Sequence, residues 1–146
     1  GVVLEEIILP AILNHQPQVI VLQCGADAVL EDPLSGLALS NNAYWRTVSA
    51  LKTMAPRLLV LGGGGYNPWT VGRLWTGVWA ILNEFPIPDV LPESAQAVLK
   101  QLTWKRRALP HDVLLTKLTD VPRNGDVRAI IKDRILTLKR RLKREV

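Results

Sequence analysis

Cysteine and histidine are scarce in this 146-residue chain, which has one cysteine, Cys24, and two histidines, His15 and His111. A lone cysteine excludes an internal disulfide framework and a cysteine-rich zinc site, and a reducing, cytoplasmic setting is the expectation. Long apolar runs are missing too. None approaches the roughly 18 residues that span a bilayer, so no membrane segment is expected. Residues 1–13 are apolar but carry Glu5 and Glu6 and lack a basic start, so this stretch is not expected to be a signal peptide. The chain opens on Gly1 rather than methionine, as expected of a product whose gene starts further upstream.

Basic residues are sparse over the first two thirds. Residues 1–94 hold 4 Lys/Arg against 8 Asp/Glu, net −4, whereas residues 95–146 hold 14 against 5, net +9. The length allows one domain with a real core. The charge break nonetheless predicts two regions with different jobs, a body over 1–88 and a basic, mainly helical extension over 89–146.

In the body, residues 3–14 have apolar positions at helical spacing, blemished at Pro10. Val19–Cys24 is a β-branched apolar run suited to a strand buried on both faces of a parallel sheet. Residues 28–40 read as a long loop. Asn42–Ala55 reads as a helix capped by Ser40 or Asn41, with Pro56 beyond its end. A second strand, Leu58–Leu61, and a helix from Pro68 to about Asn83 complete an α/β unit with parallel strands and a crossover. Asp27 and Tyr66 follow the C-terminal ends of the two strands, so they are expected in one crevice, where open α/β sheets place their ligands. Residues 85–94 hold three prolines and read as a linker or surface segment. Ala95–Trp104 and Asp126–Arg144 read as helices, the second with an apolar stripe of Val127, Ile130, Ile131, Ile135, Leu138 and Leu142.

The most unusual stretch is LLVLGGGGYNPW, Leu58–Trp69, with four glycines in a row. A dinucleotide fingerprint needs glycine at its first, third and sixth positions. In the four registers the sixth position is Asn67, Pro68, Trp69 or Thr70, and all fail. A P-loop fails likewise. A tight strand-to-helix turn needs two glycines. Four imply a close approach to the backbone, as in the wall of a narrow channel, with the Tyr66 phenol at its base as a hydrogen-bond donor.

VIVLQCGAD, then DPLSG, then LLVLGGGGYN with GRLWT in the following helix resemble the zinc-dependent histone deacetylases, with the bacterial acetoin-utilisation deacetylases the nearest-looking branch. The resemblance runs from about residue 5 to residue 85. It implies a three-layer, parallel-sheet fold of the arginase/deacetylase type and metal-assisted amide hydrolysis of acetyl-lysine or a small acylated amine. It places Asp27 on the zinc, Tyr66 as donor to the developing oxyanion, Gly63, Gly64 and Gly65 along the substrate channel, and Leu34 at the channel rim. Arg73 and Trp75 match the family pattern as structural support.

A catalytic zinc takes three protein ligands. The family's D-x-H segment and its paired histidines do not occur in this chain. His15 precedes the first strand, whose length puts it roughly 20 Å from the Asp27 edge. His111 reads as a surface histidine, Cys24 as inert core, Asp32 as a loop or capping residue, and Trp45, Trp69, Trp79 and Trp104 as packing residues. The expectation is therefore the C-terminal portion of a deacetylase, inactive alone, with an apolar strand edge that a missing N-terminal half or a homo-oligomer covers. The alternative is a non-catalytic interaction or assembly module that keeps the fold without a complete metal site. The tail basic residues Lys139, Arg140, Arg141, Lys143 and Arg144 read as a solvated helix end. A nucleic-acid partner is the lesser reading of them and no nucleic-acid motif supports it.

Overall fold

The computed structural model describes residues 1–104, 110–123 and 125–142. The basic run Lys105–Arg107 and the terminal Lys143 and Arg144 lie outside the described residues. The chain begins in a π-helical turn, Leu4–Ile8, that continues as α1, Leu9–His15. Gln16 ends it in the left-handed region, at φ 49°, and its amide caps Ile12. Then follow β1 (Val19–Gln23), α2 (Asn41–Leu51), β2 (Arg57–Leu61), α3 (Pro68–Leu82), α4 (Glu93–Gln101), α5 (Val113–Thr116) and α6 (Ala129–Leu142). β1 and β2 pair in parallel, Val19 opposite Arg57 through Gln23 opposite Leu61, with α2 in the crossover between them. The Cys24 amide extends the ladder to the Leu61 carbonyl at 2.8 Å.

Helices α2 and α3 cover one face of this ribbon. Leu22 and Val60 turn inward onto Trp45, Val48, Leu74 and Val78. The opposite face is bare: Val19, Val21, Leu59 and Leu61 are exposed, Val21 at 60%. The strand expected to be buried on both faces is thus buried on one, because nothing among the described residues packs on the other. Each of these side chains forgoes up to about 1.5–3 kcal/mol of burial.

The α2–α3 contact depends on a missing side chain. A Cβ at Gly77 would overlap the Trp45 indole, whose Nε1 donates to the Leu74 carbonyl at 3.0 Å. Alanine is the better helix former by about 1 kcal/mol, so on propensity alone Gly77→Ala stabilises. We expect the reverse, a net loss of about 1–3 kcal/mol from overpacking, read as a lowered urea midpoint.

Beyond Phe85 the chain returns to the body. Leu91 and Leu118 join the core, and the Leu91 and Leu118 amides donate to Thr116 and Asp89 carbonyls at 2.8 and 2.9 Å. The Pro-rich segment expected on the surface is therefore anchored at Leu91. α6 sits against the N-terminal turn. Ile135 is buried there and Lys139 pairs with Glu6, while Ile130 and Leu138 of the expected stripe face out. Trp45 and Trp69 are buried, and Trp104 meets Trp69 edge-on at 6.1 Å. Trp79 departs from the expected packing role. It is 57% exposed, stacked on Phe85 at 5.2 Å, because it lies on the side of α3 turned away from α2.

Candidate functional site

The site is built from the two loops that leave the C-terminal ends of β1 and β2. After β1, Gly25 leads into a single 3-10 turn, Ala26–Ala28, that carries Asp27. After β2 come Gly62–Gly65 and Tyr66. The Ala26 amide donates to the Gly64 carbonyl at 2.6 Å, which locks the loops side by side. That bond explains much of the glycine run. A Cβ at Gly64 would fall on the Asp27 carboxylate, and one at Gly63 on the Gln23 amide. At Gly65, φ is +149° and a Cβ would lie 2.8 Å from Val71 Cγ2. So the space left by Gly63 and Gly64 on their Cβ side is filled by the last residue of β1 and by the loop after it, and Gly64 adjoins Asp27 directly.

Tyr66 is 52% exposed at the mouth of this arrangement. Its amide donates to Asp32 Oδ2 at 2.6 Å. Asn67 is the N-cap of α3, its Oδ1 accepting from the Trp69 amide at 3.1 Å while Pro68 fills the first turn. Its Nδ2 donates to the Glu31 carbonyl at 2.8 Å, so the DPLSG loop and the glycine loop are tied at two adjacent residues. Leu34 projects from that loop, largely exposed, with its amide bonded to Asp32 Oδ1 at 2.9 Å. Tyr44 of α2 donates its hydroxyl to the Gly25 carbonyl at 2.6 Å. Burial, then the negative charge of Asp27, pushes the Tyr44 phenol above its ordinary range, and burial does the same to the Cys24 thiol. A buried thiol with a raised pKa is a poor nucleophile.

Arg73 stands away from this crevice, on the inner side of α3. It is 2% exposed, its Nε donates to the Lys117 carbonyl at 2.7 Å, and its Nη2 lies 2.8 Å from Asp120 Oδ1. Nη2 makes no well-angled hydrogen bond, so this contact is an ion pair by distance alone. Asp120 in turn accepts from the Asn41 amide at 2.7 Å. His15 ends α1, beyond the opposite end of β1 from Asp27. His111 is exposed at a cavity of about 390 Å³ that Glu31, Asp120 and Arg123 also line. Among the described residues no three His, Cys, Asp or Glu side chains converge on one point. The donors present therefore do not amount to a catalytic zinc site; Asp27 is a single carboxylate where three ligands are needed.

Sequence patterning assigns no role to Tyr44, Asn67 or Asp120 and offers Asn41 only as a helix cap, whereas the Asn41 side chain and amide bond Leu118 and Asp120. Asn67 had a local signal, an Asn directly before a Pro at a helix start. The others act across long separations.

The histone deacetylase domain family matches residues 2–82, more than half the chain. Two solved structures match it in three dimensions. The crystal structure of an HDAC homolog from Aquifex aeolicus is 32% identical with a TM-score of 0.80, over 93% of this chain and 37% of that one. An HDAC homolog complexed with SAHA is 30% identical with a TM-score of 0.77, over 92% and 39%. The fold is accordingly the α/β, parallel-sheet fold of those proteins, and the likeness continues past residue 82 into the C-terminal helices.

The chain belongs to the histone deacetylase family. Among its relatives are a putative histone deacetylase 2 of Caenorhabditis elegans, 42% identical over 54% of this chain, and histone deacetylase 9 of Arabidopsis thaliana, 41% identical over 55%. It spans only 16% and 19% of the length of those two relatives. No helix among the described residues is long and apolar enough to cross a membrane.

Proposed function

We propose that this chain is the C-terminal portion of a zinc-dependent deacetylase that hydrolyses acetyl-lysine or a related acylamide, and that it is inactive by itself. The observation that carries the reading is the locked pair of loops, which sets the Asp27 carboxylate against Gly64 two residues before Tyr66. In this reading Asp27 is one of three metal ligands, Tyr66 donates its phenol proton in a hydrogen bond to the substrate carbonyl oxygen, and Leu34 lies at the channel rim. The remaining ligands and the general base come from residues outside this chain. The bare sheet face and the small share of the relatives' length support that division.

The expected result is no zinc-dependent acetate release from an acetyl-lysine peptide by the pure 146-residue chain, and release by the same chain extended upstream with its native coding sequence. Turnover by the short chain alone would refute the reading. Absence of both turnover and zinc binding in the extended chain favours the second reading, an assembly module that kept the fold. The lack of a converging ligand set among the described residues is what keeps that reading in play.

A further inference from the structure

We propose that Asp32 is the positioning residue for Tyr66, acting through the Tyr66 backbone; the proposal rests on the reading of Tyr66 as the hydrogen-bond donor. Tyr66 needs such a support. It follows four glycines, each free to occupy far more backbone conformations than other residues. Its side chain is half exposed, so packing does not hold the ring. What remains is its amide, and that amide is held by a carboxylate from 34 residues earlier in the chain.

Asp32 suits this task better than a loop cap does. It is 3% exposed, and none of the ion pairs found among the described residues includes it. Its charge is met by backbone amides: Leu34 on Oδ1 at 2.9 Å and Tyr66 on Oδ2 at 2.6 Å. The first bond is the ordinary local turn of an Asp. The second serves no local purpose and reaches across to the catalytic loop. Bonds to a charged acceptor are roughly twice as strong as neutral ones. Asp32 is itself fixed by its own amide on the Val29 carbonyl, 3.0 Å, and by its carbonyl accepting from Ser35 at 3.1 Å. The Asn67 bond to the Glu31 carbonyl steadies the next residue along. The direction of the Tyr66 Cα–Cβ bond is thereby set by a buried carboxylate rather than by the glycines.

The test uses Asp32→Ser, whose short hydroxyl keeps a local turn bond to Leu34 but falls short of Tyr66, with Asp32→Asn as the isosteric control. In the 146-residue chain, Asp32→Ser should speed amide hydrogen exchange at Tyr66 about tenfold while leaving Leu74 and Val78 in α3 unchanged, a local opening rather than a global one. In the upstream-extended enzyme, kcat should fall about 10²-fold, the scale of a 1 Å misplacement, with KM within about twofold. Asp32→Asn, which retains one acceptor oxygen, should lose less. On a Tyr66→Phe background Asp32→Ser should add under about threefold, since it has no phenol left to aim. Equal acceleration of exchange at Leu74 and Val78, or fully additive losses in the double variant, overturns the proposal. Unchanged exchange at Tyr66 overturns the Asp32 contact alone. Full kcat in Tyr66→Phe overturns the donor role of Tyr66, and with it the catalytic half of the proposal, while the exchange result still decides the contact.

Discussion

Arg73→Met is expected to remove about 3–5 kcal/mol from the stability of this chain. The reason lies in what it leaves behind. Arg73 and Asp120 are 2% and 7% exposed, and their charged ends are 2.8 Å apart. Without the guanidinium, Asp120 is a carboxylate in the interior that keeps the hydrogen bond from the Asn41 amide but has lost its paired cation. The Lys117 carbonyl also loses its partner. A domain of this size has about 5–15 kcal/mol in total, so the single change removes a large share. A buried pair is not by itself a large stabiliser; replacing both partners with apolar residues is often neutral or better. The double variant Arg73→Met with Asp120→Leu should therefore recover part of the loss. Urea denaturation of the wild type, the single and the double variant reads this directly. A loss below about 1 kcal/mol in the single variant, or a double variant worse than the sum, would contradict the account.

The same hub shows what was legible in the sequence. Strands β1 and β2 and helix α3 appear within one residue of their expected limits, because apolar runs, glycines and Pro68 are local signals. Helix α2 stops at Leu51 rather than Ala55. Lys52–Met54 close as turns on Val48 and Leu51 ahead of Pro56, a boundary that periodicity does not mark. The order of Asp27 and Tyr66 along one sheet edge was readable from the parallel topology alone. The ties that stiffen the site were not. Asn41 meets Leu118 and Asp120 across 77 and 79 residues, and Asp32 meets Tyr66 across 34. Nothing in local composition announces a bond of that span. For the same reason the basic charge of residues 95–146 suggested a separate extension, although Leu91 and Leu118 are part of the central core.

Tyr66→Phe in the upstream-extended protein is expected to lower kcat about 10²–10³-fold, or about 2.7–4 kcal/mol of transition-state stabilisation, the usual cost of deleting one oxyanion donor. KM should barely move, because the phenol strengthens its bond only as the carbonyl oxygen gains charge. Stability should also stay within about 0.5 kcal/mol. The ring is half exposed, and the loop is held through the Tyr66 amide, which phenylalanine retains. That separation is the diagnostic feature. Asp27 lies against Gly64, where a substitution disturbs both loops at once and confuses folding with chemistry. The Tyr66 hydroxyl can be deleted without touching either loop. Steady-state kinetics on an acetyl-lysine peptide, paired with a urea midpoint, distinguishes the outcomes. A large fall in kcat at constant KM and constant midpoint assigns the phenol to the reaction. Unchanged kcat removes Tyr66 from the chemistry, and a fall in kcat that tracks a lowered midpoint assigns it to the fold.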